Sequence, residues 1–235
     1  MKVWWLGSEK AQGNFGDILT PAILDHFSIN YEFVNHYSQA DAICVGSIAR
    51  RAGKGVTVLG SGIISRSDKI IAEANWKFVR GPYTRDRVKF FGGDCPEIYG
   101  DAALLLPLIV PPSEKKYEVG IVPHTVDYKY AAEKFSGSNI IALGTQNYKN
   151  VIDKITQCQS IISSSLHGVI CAHAYGIPAA WVKSNTKLKG DDVKFEDYFA
   201  SVDIDGIQST FDNPVFIQPK AANLEPLIKI FKELA

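Results

Sequence analysis

The sequence predicts an α/β protein with parallel sheets and helices on both faces, arranged as two Rossmann-like domains that face a cleft. Short apolar runs alternate with helical patterns in both halves of the 235-residue chain, and most runs end in a glycine or a polar loop. Between the halves lies Val110-Pro111-Pro112-Ser113-Glu114-Lys115-Lys116, where two prolines and a charge run follow an apolar stretch. Such a segment reads as a linker, dividing the chain into residues 1–112 and 113–235.

Val3 to Leu6 is the first expected strand, closed by Gly7, and Asp17 to Phe27 the first helix. Pro21 fits the first turn of that helix, where a missing N–H does no harm. Ile43 to Val45, Val56 to Leu59 and Trp76 to Val79 follow as strands, stopped by Gly46-Ser47, Gly60-Ser61-Gly62 and Arg80-Gly81-Pro82. Thr84 to Phe91 is helical, with Gly92-Gly93 as its stop, and Glu97 to Tyr99 is a short strand before Gly100-Asp101. After the linker, Val119 to Val122 is a strand ending at Pro123-His124, Tyr128 to Phe135 a helix and Ile140 to Leu143 a strand. Val151, Ile152 and Ile155 have helical spacing within Tyr148 to Gln157. Ile161-Ile162 is a strand, Leu166 to Tyr175 a helix stopped by Gly176 and Pro178, and Ala179 to Val182 a strand. An acid-rich helix start follows Gly190, and Leu224 to Leu234 closes the chain as an amphipathic helix.

Composition narrows the function. Apolar residues make up 46% and charged residues 21%, the balance of a globular protein with a packed core. Lys+Arg and Asp+Glu are both 25, so the basic excess of a nucleic-acid binder is absent. Cys44, Cys95, Cys158 and Cys171 have no paired spacing, which argues against a disulfide framework or a zinc site and fits a reducing compartment. The Asp191-Asp192 pair lacks the spacer of a D-x-D metal site, so neither a metal nor a cofactor is expected. The longest apolar stretch, Ala102 to Val110, is interrupted by Pro107 and too short to span a membrane. A cytoplasmic protein is expected, with peripheral contact at a membrane surface left open.

Ile161-Ile162-Ser163-Ser164-Ser165-Leu166-His167-Gly168 reads as strand, polar turn and helix start. Ser164 or Ser165 suits the N-cap, and the free amides and positive dipole end of such a helix hold anions. Gly168 would let a ligand approach the backbone, and His167 would stand beside a bound phosphate. Gly13-Asn14-Phe15-Gly16-Asp17 is a glycine loop entering a helix, in which Asp17 suits a base for a substrate hydroxyl, a carboxylate that binds hydroxyls, or a helix cap. Arg80, His124 and Asp101 each follow a strand, at the end where open α/β sheets bind ligands. An arginine there suits a carboxylate or phosphate. His173 is off the His167 face and reads as packing. Lys183, Lys187 and Lys189 form either a basic loop over the cleft or a solvated one.

Taken in order, Asn14-Phe15-Gly16-Asp17, Val79-Arg80-Gly81, Gly100-Asp101 with Leu104-Leu105-Leu106-Pro107, Ile121-Val122-Pro123-His124, and Ser165-Leu166-His167-Gly168 with Ala172-His173-Ala174-Tyr175-Gly176-Ile177-Pro178 resemble the polysaccharide pyruvyl transferase family. The resemblance runs from about residue 3 to about residue 200. It implies a GT-B-like fold with the site between the domains. It also implies phosphoenolpyruvate as donor, a saccharide or lipid-linked saccharide as acceptor, and ketal formation on two sugar hydroxyls in exopolysaccharide or cell-surface glycan synthesis. On that basis Arg80 binds phosphoenolpyruvate and His167 contacts its phosphate region. The reaction so implied needs a proton donor and a base; His167 or His124 suits the first and Asp17 the second, and Asn14, Asp101, Ser165, Leu166 and Gly168 are expected to help hold substrate. Family members often carry arginine where this chain has Ser165, which leaves an anion contact for Lys187 or Lys189 to supply. A nucleotide-sugar glycosyltransferase and a non-catalytic sugar-binding module are the alternatives on the same fold.

Overall fold

The computed structural model describes residues 1–7, 13–186 and 188–235. The first half contains β1 (Lys2–Val3), α1 (Leu19–His26), β2 (Glu32–Phe33), β3 (Ala42–Ile43), β4 (Thr57–Leu59), β5 (Asn75–Phe78) and α2 (Pro82–Phe90). The second contains β6 (Tyr117–Val122), α3 (Tyr128–Lys134), α4 (Tyr148–Thr156), β7 (Cys158–Ser163), α5 (Leu166–Ala174), β8 (Ala179–Val182), α6 (Val193–Ser201), β9 (Gln208–Ser209) and α7 (Glu225–Leu234). The strands form two sheets, in the orders β2-β1-β3-β4-β5 and β6-β7-β8-β9, and all pairings between these strands are parallel.

Two expected strands shrink to single parallel bridges. Val79 pairs with Tyr99, and Ile121 with Ile140, which places the chain at Ile140 on the outer side of β6. Of the strand expected from Val3 to Leu6, only Val3 lies within β1, and the Trp4 amide adds one bond to the Ala42 carbonyl at 3.1 Å. α2 starts two residues earlier than expected, because Pro82 occupies the first helical position, where proline is favoured. The apolar stretch after Gly100 forms a 3₁₀ helix, Ala102–Leu108, which is buried from Ala102 to Leu106 and packs against α5.

Strand order decides where a ligand sits. In the first sheet, β2 lies on one side of β1 and β3 on the other. In the second, Ile140 and β7 flank β6 in the same way. Each sheet therefore reverses direction once, and the loops leaving the strands on either side of that point diverge and open a crevice.

The Pro111-Pro112 segment separates the two sheets, but one apolar core joins them. Phe15, Leu105, Leu166, Ile170 and Phe231 belong to a single buried cluster. The last helix returns to the first sheet. Phe231 of α7 stacks on Phe27 of the α1 C-terminus with centroids 5.0 Å apart and meets the edge of Phe78 in β5 at 5.8 Å. Among the described residues no helix is long and apolar enough to cross a membrane. All four cysteines are buried and unpaired.

Candidate active site

The loops leaving β1, β3, β6 and β7 line one crevice between the sheets. Leu6, Asn14 and Asp17 come from the first, Ser47 and Ile48 from the second, His124 from the third, and Ser165, Leu166 and His167 from the fourth. Ile64 and Lys194 close it. The crevice continues outward in two directions. One branch is lined by Trp4, Trp5, Gly13 and Asn35, the other by Tyr37, Arg50, Arg51 and Lys189. A larger cavity, about 450 Å³, lies elsewhere, at the far end of α5 around His173 and Lys220, and none of the residues lining it line the crevice. In the smaller space four titratable groups converge, Asp17, His124, His167 and Lys194.

His167 crosses from α5 to the first half of the chain. A Cβ on Gly16 would fall 2.1 Å from its Nδ1, so the ring lies directly against the Gly16 backbone. Its Nε2 is enclosed, without a hydrogen-bond partner among the described residues, and faces the equally enclosed Oδ2 of Asp101 at 3.7 Å. Gly16→Ala is therefore expected to displace the imidazole, with a stability loss of about 1–3 kcal/mol by overpacking. Urea denaturation measures the loss. An unchanged midpoint would mean that the ring can move freely.

Asp17 is 8% exposed. Its carboxylate does not cap α1, whose N-cap is Ile18 without a side-chain bond. Burial pushes its pKa up to about 6, against the opposing effects of His167 and of the Asn14 side chain. Burial also lowers the pKa of His124, with Lys194 adding to the effect. The amide of His124 donates to Ser164 Oγ at 2.9 Å, and Ser164 donates in turn to the buried Asp127 at 2.7 Å. That chain of bonds ties the loop after β6 to the loop after β7.

Several expected site residues stand behind the crevice instead of in it. Arg80 is wholly buried. Its Nε donates to Asp197 Oδ2 at 3.1 Å, Nη2 lies 3.0 Å from the same oxygen and 2.7 Å from the Ile63 carbonyl, and Nη1 donates to Ser47 Oγ at 2.8 Å. The guanidinium is thus engaged on three sides by protein, and only its partner Ser47 reaches the crevice. Asp101 is likewise fully buried, with Oδ1 accepting from the Ala103 amide at 3.0 Å as the cap of the 3₁₀ helix. It stands behind His167, with Oδ2 facing Nε2 of the ring. Gly168 serves close packing: a Cβ there would lie 2.3 Å from Ser163 Oγ. Ser165 occupies the N-cap of α5, but its hydroxyl makes no cap bond and lines the crevice. The amides of Leu166 and His167 have no acceptor among the described residues, as expected of the first turn of a helix. Lys187 lies outside the described residues. His173 packs, with Nδ1 3.1 Å from the Tyr198 hydroxyl.

Two residues that matter gave little sign in the sequence. Lys194 sits in a stretch that reads as an ordinary acidic helix start. Asp197 is the buried partner of Arg80, and the only hint was a carboxylate set among Phe195, Tyr198 and Phe199.

Residues 10–186 match the family model described as Polysaccharide pyruvyl transferase. Among curated proteins, the chain is 36% identical over 166 residues to the uncharacterized protein L143 of Acanthamoeba polyphaga mimivirus, covering 66% of this chain and 58% of that protein. It is 28% identical over 209 residues to the succinoglycan biosynthesis protein ExoV of Rhizobium meliloti (strain 1021), covering 81% of this chain and 62% of that protein. The matches thus span less than two thirds of the length of either relative. No solved structure matches the chain.

Proposed function

The chain belongs to the polysaccharide pyruvyl transferase family, and from that premise we propose that it transfers a pyruvyl group from phosphoenolpyruvate to two hydroxyls of a sugar residue, forming a ketal and releasing phosphate. The observation that carries this reading is the meeting of Asp17, His124, His167 and the open start of α5 in one crevice. The likeness to a succinoglycan biosynthesis protein supports a saccharide acceptor. A GT-B-like arrangement of the two sheets is part of the same reading, with domains at 1–112 and 113–235.

The residue types suit the steps. The free amides and positive dipole end at Leu166 and His167 hold an anionic group of the donor, with the Ser165 hydroxyl beside them. Protonation of the donor methylene carbon makes C2 electrophilic, and His167 or His124 supplies that proton. The first sugar hydroxyl adds to C2 as Asp17 takes its proton. The second hydroxyl then displaces phosphate, which leaves with the C–O bonding pair, and its proton passes to the departing phosphate. Asn14 orients Asp17, and the sugar lies along the branch lined by Trp4 and Trp5, where aromatic faces can stack on its C–H surface.

Thermal shift distinguishes the donors, since a ligand that binds only the native state raises the melting temperature. Phosphoenolpyruvate is expected to stabilise the protein, and uridine or guanosine diphosphate sugars are not. Stabilisation by a nucleotide sugar alone would replace this reading with glycosyl transfer, and saccharide binding without phosphate release would indicate a binding module. His167→Ala is expected to lower phosphate release by roughly 10²- to 10⁴-fold, the usual contribution of a positioned acid or base. Undiminished release would remove His167 from the chemistry.

A further inference from the structure

Phosphoenolpyruvate carries two anionic groups, whereas the start of α5 accounts for one. We propose that Lys194 is the second anion anchor of the crevice, pairing with the phosphate or carboxylate of the donor across from the start of α5. The proposal rests on the functional reading above and names a binding residue for it.

Lys194 stands in the first turn of α6 and lines the same crevice as Ser165, Leu166 and His167. It is the one lysine or arginine among the described residues that line this inner part. Unlike Arg80, it makes no salt bridge among the described residues, so its charge is free for a ligand.

The helix that carries it is fixed in place. Val193 and Phe195 on either side are fully buried. Three residues further on, Asp197 accepts from the Thr84 amide at 2.9 Å and the Thr84 hydroxyl at 2.6 Å besides holding Arg80. A Cβ on Gly81 would fall 1.9 Å from the Asp197 carbonyl oxygen, so glycine there lets α6 approach. One face of α6 thus locks onto the first half of the chain and holds Lys194 at the crevice.

Among the described residues, an ammonium in that position has no salt-bridge partner. Burial, and after it the Arg80 charge behind the loop following β5, bring the Lys194 pKa down to about 8, with Asp192 on its own helix start opposing. Asp17 from the loop after β1, His124 from the loop after β6 and His167 on α5 are the other titratable groups lining the space. A multiply charged anion between Lys194 and the α5 amides would restore local neutrality and favour the charged lysine.

Calorimetric titration of phosphoenolpyruvate and of inorganic phosphate tests this with wild type, Lys194→Met and Lys194→Arg. At pH 7, Lys194→Met is expected to weaken binding about 10- to 100-fold, as for loss of one charge-assisted contact, with its melting temperature little changed. Wild-type affinity is expected to fall about tenfold between pH 7 and pH 9 as the ammonium deprotonates, while Lys194→Arg keeps its affinity at pH 9 because guanidinium stays charged. Equal affinity of wild type and Lys194→Met for both anions overturns the proposal. Failure of phosphoenolpyruvate to bind wild type, with phosphate binding still dependent on Lys194, would instead overturn the choice of donor and leave the anion anchor standing.

Discussion

Replacing Asp17 with asparagine is expected to slow transfer by about 10²- to 10⁴-fold while making the folded protein more stable at neutral pH. The two effects share one cause. Asp17 is almost wholly buried, and its folded-state pKa is about 6 against an ordinary value of 3.8. Between these values the folded chain binds more protons than the unfolded chain, so stability falls as pH rises through this window. Above about pH 6 the ionised carboxylate carries the full penalty, about 3 kcal/mol for a shift of roughly two units. Asparagine has no such penalty. The variant is expected to unfold at a higher urea concentration at pH 8 by about 1–3 kcal/mol, with the advantage vanishing as pH is lowered toward 4.

In the proposed reaction the same carboxylate must be ionised to take a proton from a sugar hydroxyl. Wild-type kcat/KM should therefore rise with pH through about 6. Asp17→Asn should lose about 10²- to 10⁴-fold in phosphate release at any pH. A variant that stays active would show that Asp17 is not the base. A variant less stable at pH 8 would mean that the charge is held by favourable bonds, and the raised pKa would be wrong. Activity and stability thus pull in opposite directions at this residue, as is common where a charged group is kept away from water for chemistry.

Much of this geometry was legible because both sheets are parallel. Buried parallel strands read as apolar runs with a glycine or polar stop, and Val56 to Leu59, Trp76 to Val79 and Ala179 to Val182 are close to the observed strands β4, β5 and β8. β2 and β9 went unread, since Glu32 and Phe33 are exposed, Gln208 and Ser209 are polar, and both strands lie at sheet edges. Asn14, Asp17, His124, Ser165 and His167 were legible for the same topological reason: loops after parallel strands gather at one end of the sheet. Side-chain direction was not legible. Arg80 does follow a strand, but its guanidinium turns toward a carboxylate 117 residues away, and no local pattern announces that pairing. Lys194 was overlooked for the converse reason, since a lysine in a polar helix start is unremarkable until the fold sets a crevice beside it.

Removing one member of the Arg80–Asp197 pair is expected to have the largest effect on stability in this protein. Both side chains are fully buried, and Asp197 also satisfies the Thr84 amide and hydroxyl. Asp197→Ala would leave a guanidinium in a dry interior without a counter-charge, beside a Lys194 that it already repels. Breaking a buried pair in this way typically costs about 3–5 kcal/mol. Arg80→Ala would strand the carboxylate in turn, and both variants should unfold at much lower urea. Removal of both charges in Arg80→Met/Asp197→Leu should recover part of the loss, because the isolated charge is costlier than the absent pair. This series also decides between two roles for Arg80. If the arginine held donor directly, Arg80→Ala would lose phosphoenolpyruvate affinity at unchanged stability. If it is the bolt that fixes α6, stability falls first, and affinity follows only through the displaced Lys194. A glycine at 62 supports the second role, since a Cβ there would lie 2.2 Å from the Arg80 guanidinium carbon. The protein surrounds this cation so closely that a ligand would have to displace Asp197, Ser47 or the Ile63 carbonyl to reach it.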